Sequence, residues 1–250
     1  MSVSLDGRVA LITGAGSGIG RSHAVLMAER GADLIVNDLN LEGLAETAEC
    51  AATSGGKVIQ VVHDVSDIAG MARKTHTAEA ELGKIDILVN NASAINLTGT
   101  LQTSMKRYDL MHHINTRGTF LTSKLCIPHL QKAENPHILN LSPPLNMEAR
   151  WFGPHVAYTM AKFGMSMCVL GMAEEFKKDG IGVNGLWPRT AIATAAIQMI
   201  GGDEMMASAA MKARYANGDT RGWRFGEPEP PSLAWCTQCP ASIVPALIRI

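Results

Sequence analysis

The chain has 250 residues, 46% hydrophobic and 18% charged, with a formal net charge of -1. That length and apolar share fit a single α/β core and exclude a disordered chain, and the balanced charge excludes a broad attraction to nucleic acid or an anionic membrane. Five scattered cysteines, apolar runs short of the ~18 residues of a membrane span, and a start (MSVSLDGRV) without a basic-then-apolar leader predict a cytoplasmic protein with no disulfide framework.

Short apolar runs then alternate with longer stretches of helical periodicity. The runs at 8–13 (RVALIT), 33–37 (DLIVN), 57–62 (KVIQVV), 84–90 (KIDILVN), 137–141 (HILNL) and 181–186 (IGVNGL) are too short for helices and too evenly apolar to have one wet face. They predict six buried parallel strands. Between them, 19–30, 40–54, 67–82, 103–132 and 154–179 space apolar residues three or four apart, which predicts crossover helices. The product is one doubly wound parallel sheet, whose ligands gather beyond the carboxyl ends of the strands. From Glu227 the pattern stops. Five prolines (Pro228, Pro230, Pro231, Pro240 and Pro245) occupy the place of a last helix and edge strand, so the domain is expected over 1–229 with an atypical tail over 230–250.

Directly after the first run stands Thr13-Gly14-Ala15-Gly16-Ser17-Gly18-Ile19-Gly20, opening the first helix. Glycines there permit a tight turn and close backbone approach, and the free N–H groups with the positive end of the helix suit a pyrophosphate. The second run ends at Asp38. A carboxylate at that point accepts hydrogen bonds from ribose hydroxyls and repels a 2′-phosphate, and neither Ser17 nor Leu39 offers a compensating charge, so NAD is expected over NADP. Asp64, after the third run, falls near the adenine in such an architecture.

Tyr158 and Lys162 stand four apart, on one face of the fifth helical stretch, just past a strand end. A phenol titrates near ~10, so acting as a base near neutrality needs a shift worth about 4 kcal/mol. One ammonium at ~4 Å in an effective dielectric of ~20 supplies about that much, which predicts that Lys162 activates Tyr158.

With these residues in place the chain resembles the short-chain dehydrogenase/reductase family over roughly 5–229. The resemblance is carried by TGAGSGIG, Asp64, Asn90-Asn91-Ala92, Asn115 within INTRG, Ser142, Tyr158 with Lys162, and Pro188. Residues 84–202 are similar to the hydroxysteroid dehydrogenase-like type 2 branch. The resemblance implies a Rossmann-fold oxidoreductase in which Tyr158 is the acid/base, Lys162 holds the nicotinamide ribose and tunes the phenol, Ser142 orients the substrate oxygen and Asn115 holds a relay water. It implies cofactor contacts from Gly14, Ser17, Gly18, Ile19, Gly20, Asp38, Asp64, Val65, Asn91, Ala92, Tyr158, Lys162, Pro188 and Thr190. It also implies pairing of the two long helical stretches with a second copy, giving a homodimer or a tetramer.

Some residues depart from that pattern. The family's serine stands thirteen before its tyrosine, where this chain has Leu145; Ser142 is sixteen before, and strand-anchored counting puts Pro143 in the serine's place. Arg189 replaces the glycine after Pro188. The tail reads as an unrelated end or a shifted reading frame, and its Cys236 and Cys239 lack a second ligand pair, so no metal is expected. His112, His113 and His155 read as helix-surface residues. Met147, Trp151, Phe152, Trp187, Ile197 and Met199 flank the expected pocket and favour a small apolar secondary alcohol or ketone. The alternatives are an NADPH-dependent 3-oxoacyl reductase and a catalytically weak nucleotide-binding regulator.

Overall fold

A computed structural model describes residues 4–187. Within them six strands form one sheet: β1 (Val9–Thr13), β2 (Asp33–Asp38), β3 (Val58–Val62), β4 (Ile87–Asn90), β5 (His137–Asn140) and β6 (Gly182–Gly185), in the order β3-β2-β1-β4-β5-β6. Every pairing is parallel. This is a Rossmann-like doubly wound sheet, and the order reverses direction between β1 and β4. There the crossovers change faces and the carboxyl edge opens a crevice.

The continuous apolar runs follow from burial on both faces. In β1, Ile12 joins a cluster with Met27, Leu34, Val36 and Leu44 on one face, while its neighbour Leu11 joins Ile35, Leu88, Leu130, Ile138 and Met172 on the other. Successive side chains alternate across the sheet, so a strand sandwiched between helices is apolar on both faces, and its buried polar residues, such as Thr13, Asn37, Asn90 and Asn140, fall mainly at the carboxyl ends. Two of the six strands correct the expectation of full burial. β3 lies at one edge of the sheet and exposes Gln60 and Val62, and most of β6 at the other edge of the described sheet is only half-buried.

The helices are α1 (Gly18–Ala28), α2 (Leu41–Ala52), α3 (Ile68–Leu82), α4 (Met105–Met111), α5 (Thr119–Leu130), α6 (Ala149–Phe152) and α7 (Val156–Glu175). The stretch 103–132 is therefore not one helix. Between α4 and α5, His112–Gly118 winds as a π-helix. The cause is tertiary: Thr116 Oγ1 donates to Ala161 O of α7 at 3.0 Å, and both ends of the Asn115 amide bind Ala94 in the loop after β4. Those two anchors hold an extra residue in the turn. The stretch 154–179 likewise resolves into α7 and a short 3₁₀ turn at Lys177–Asp179. By length and composition α7 could cross a membrane; here Met165 and Met172 are buried, and Met172 joins the sheet's core.

Candidate active site

At the end of β1, Thr13 Oγ1 accepts from the backbone N–H groups of Asn91 and Ala92, each at 3.1 Å, and Asn91 Nδ2 donates to Thr13 O and Gly14 O at 3.1 and 2.9 Å. The end of β4 is thus stitched to the glycine loop. Gly14 has φ +64, and a Cβ there would stand 2.8 Å from Ala92 Cα, so no larger residue fits. Gly16 N–H donates to Asp38 Oδ2 at 2.9 Å, and Asn40 N–H donates to Oδ1 at 3.0 Å. Asp38 is thereby fixed against the loop before any ligand arrives.

The start of α1 differs in its cap from those of α2, α3 and α4. Asn40, Asp67 and Ser104 cap α2, α3 and α4 with side-chain oxygens, whereas Ser17 makes no such cap and the first turn of α1, with Gly18, Ile19 and Gly20, holds no acid. An uncapped N-terminus behind a glycine turn leaves N–H donors and the positive dipole end to an incoming anion. With Asp38 at the end of β2 held against that turn by Gly16 N–H, these residues fit a dinucleotide. Asp64 Oδ1 is engaged by Ser66 N and Oγ, both at 2.8 Å, and Val65 is buried with its side chain over Gly118.

Sequence reasoning missed one cation here. Arg21 donates through Nη2 to Gly16 O, pairs with Glu46 at 2.7 Å, and reaches Thr47 Oγ1 through Nε at 3.0 Å. Nothing in its position on α1 signals that role, which depends on α2 lying alongside.

The other half of the edge is assembled differently. Lys162 Nζ donates to Leu141 O at 2.6 Å and lies 3.3 Å from Met165 Sδ. Loss of water pushes Lys162 down to about 8 and pushes Tyr158 up to about 12. Among the described residues no hydrogen bond joins the two side chains, and the buried ammonium is satisfied by a strand-end carbonyl.

Ser142 is buried at 4% exposure, and its Oγ has no hydrogen-bond partner among the described residues. It faces β6, where a Cβ added to Gly185 would stand 3.3 Å away. No described contact brings it to Tyr158. Asn115 accepts from Ala94 N–H at 2.7 Å and donates to Ala94 O at 3.0 Å, so its amide is anchored to the loop after β4. Ala94 and Tyr158 both pack on the cluster of Met111, Ala157 and Ala161.

Of the three histidines read as helix-surface residues, His113 is exposed and His112 and His155 are half-buried. His112 stacks on Tyr108 at 4.2 Å with its Nε2 buried, and His155 lies edge-on to the Tyr158 ring at 5.9 Å. Phe152 is turned onto Phe163 at 5.1 Å, whereas Met147 is 74% exposed. Pro188, Arg189, Thr190, Ile197, Met199, Cys236, Cys239 and the tail over 230–250 lie outside the described residues. Among those described, no group of three or more His, Cys, Asp or Glu side chains could hold a metal ion. A cavity of about 410 Å³ opens at the opposite, amino edge, but Asp86 there is already met by Arg8 and Lys84, and Glu79 by His129.

Residues 8–203 match the short chain dehydrogenase family. Over 208 residues the chain is 55% identical to Hydroxysteroid dehydrogenase-like protein 2 of Danio rerio, covering 80% of this chain and 50% of that protein. The chain spans about half the length of the curated relatives it matches. Among solved structures it is similar to a short chain dehydrogenase of Mycobacterium thermoresistibile, with 41% identity, TM-score 0.75, and coverage of 80% of this chain and 73% of that one. It is also similar to a 7α-hydroxysteroid dehydrogenase complexed with NADH and 7-oxo glycochenodeoxycholic acid, with 29% identity, TM-score 0.71, and coverage of 79% and 76%.

Proposed function

The chain belongs to the short chain dehydrogenase family, and from that premise we propose that it is an NAD(H)-dependent oxidoreductase acting on an apolar secondary alcohol or ketone. One observation supports the cofactor choice: the Asp38 carboxylate at the end of β2 is tied to the glycine loop by Gly16 N–H at 2.9 Å, and a carboxylate at that point suits ribose hydroxyls. A 2′-phosphate would meet a fixed negative charge there. Arg21, a cation at this loop, is spent on Glu46 and on the Gly16 and Gly43 carbonyls and does not compensate a phosphate there.

In this reading Gly14, Ser17, Gly18, Ile19 and Gly20 hold the pyrophosphate, Asp38 the adenosine ribose, Asp64 and Val65 the adenine side, and Asn91, Ala92 and Lys162 the nicotinamide end, joined by Pro188 and Thr190. Bound nicotinamide supplies the hydride acceptor or donor. Tyr158 gives or takes the proton of the substrate oxygen. With the phenol pushed up to about 12, little of it is the phenolate base near neutrality, so in this reading a positive charge brought toward it, from Lys162 or from the oxidised nicotinamide, favours the charged form. The buried, unpartnered Ser142 hydroxyl is a donor in want of an acceptor, which supports its role in orienting the substrate oxygen. Asn115 would hold a relay water. The exposed Met160 and Met167 on α7 and Phe120 on α5 support assembly as a homodimer through these helices.

The test is a panel of secondary alcohols with NAD and of ketones with NADH, including 7-oxo glycochenodeoxycholic acid, followed by nicotinamide absorbance. Turnover with the NAD(H) pair is expected. Turnover confined to NADPH and 3-oxoacyl substrates, or cofactor binding without any turnover, would replace this reading.

A further inference from the structure

The side chain of His155 immediately precedes α7 and belongs to a hydrogen-bonded chain that the roles above leave unused. Thr159 Oγ1 donates to Trp151 O at 2.9 Å, and His155 Nδ1 lies 3.0 Å from the same oxygen. A threonine hydroxyl has one proton. Since Trp151 O can only accept, that proton goes to it, and Nδ1 must be the donor to Thr159. Nδ1 thus carries a proton, and a neutral imidazole here is the Nδ1–H tautomer. Its ring meets Tyr158 edge to face, with centroids 5.9 Å apart and planes at 82°. Thr159 is buried at 6% exposure, and α6 is fastened to α7 by the Phe152–Phe163 contact, so the wall behind the histidine is rigid.

We propose that His155, locked by Thr159 and Trp151 O, is a positioning residue that sets the plane of the Tyr158 ring. The inference rests on the reading of Tyr158 as acid/base. A phenol on an unbranched Cβ turns about two torsions; the second leaves the oxygen on its axis but sets the plane in which the O–H lies, and a misdirected proton forfeits much of its rate. The backbone does not fix those torsions. An edge-to-face neighbour of fixed orientation does.

Two NMR readouts on the full chain test this without a substrate. With ¹⁵N-labelled histidine near neutral pH, His155 is expected as the Nδ1–H tautomer in the native protein and in Thr159→Ser, and as the Nε2–H tautomer in Thr159→Val. With ring-labelled tyrosine, assigned by Tyr158→Phe, the Tyr158 ring is expected to flip slowly in the native protein and Thr159→Ser, and at least tenfold faster in Thr159→Val and His155→Ala. An Nε2–H tautomer in the native protein overturns the proposal, as does a flip rate unchanged by both variants. For any alcohol that the native protein oxidises, Thr159→Val should lower kcat about tenfold at constant KM for NAD, with Thr159→Ser restoring it. If Tyr158→Phe itself kept turnover, the acid/base reading would fail while the tautomer and flip results still decided whether His155 holds the ring.

Discussion

The two halves of the carboxyl edge are built to different degrees. Around β1, α1 and β2 every element of an anion and ribose site is already in contact: Asn91 with Gly14, Gly16 with Asp38, Arg21 with Glu46. Around β5 and α7 the corresponding groups look elsewhere, Lys162 to Leu141, Ser142 to β6, and Asn115 to Ala94. The first half is held by short contacts between backbone and small residues. The second contains buried polar groups that have taken the best partner available, and such groups change partner when a better one enters.

The largest expected effect falls on the second half. Tyr158→Phe removes the proton-transferring oxygen and should lower kcat by about a thousandfold while the dissociation constant for NADH moves less than about twofold. Steady-state turnover beside a cofactor titration checks both, and a loss of binding equal to the loss of rate would mean that the halves are not separable. Ser142→Ala comes next: if its unpartnered hydroxyl meets the substrate oxygen, kcat should fall about a hundredfold with little change in thermal stability. An effect under about threefold would leave the serine as a strand-end residue facing β6.

In the first half, Asp38→Ala should cut the preference for NADH over NADPH by about tenfold, because the repulsion of a 2′-phosphate goes with the carboxylate. The ratio of the two dissociation constants measures this, and an unchanged ratio would place the selectivity in another residue.

The smallest effect is one of pH. Burial holds Lys162 at about 8 in the folded chain, below its ordinary 10.5, so between those values the unfolded chain binds the additional proton. Stability from this group therefore rises as pH climbs from about 8 toward 10.5. Cys126, pushed up to about 12, and Tyr158, also about 12, act oppositely once the unfolded thiol and phenol begin to ionise above 9 and 10. The difference in Tm between the native protein and Lys162→Met isolates the lysine: the variant should be the more stable near pH 7, with the gap narrowing above pH 8. A constant gap would contradict the buried lysine.

The same contrast explains what the sequence could reveal. The sheet was legible because β1, β2 and β4 are buried on both faces, and the glycine loop because its conformation excludes larger residues at Gly14 and Gly16. Arg21, the π-helical turn and the partners of Lys162 were not legible, since each depends on an element distant in sequence: α2 for Arg21, Ala94 and Ala161 for the turn, Leu141 for the lysine. His155 was misread for the same reason. Helical spacing shows that His155 and Thr159 share a face, but not that Trp151 O takes the hydroxyl proton and so fixes the ring.

Direct titration of the full chain with NADH and with NADPH, read by nicotinamide fluorescence, tests the preassembled cofactor half without needing a substrate. NADH should bind at least tenfold more tightly than NADPH. Equal affinities, or tighter binding of NADPH, would contradict the assignment of Asp38 and with it the reading of this half of the edge.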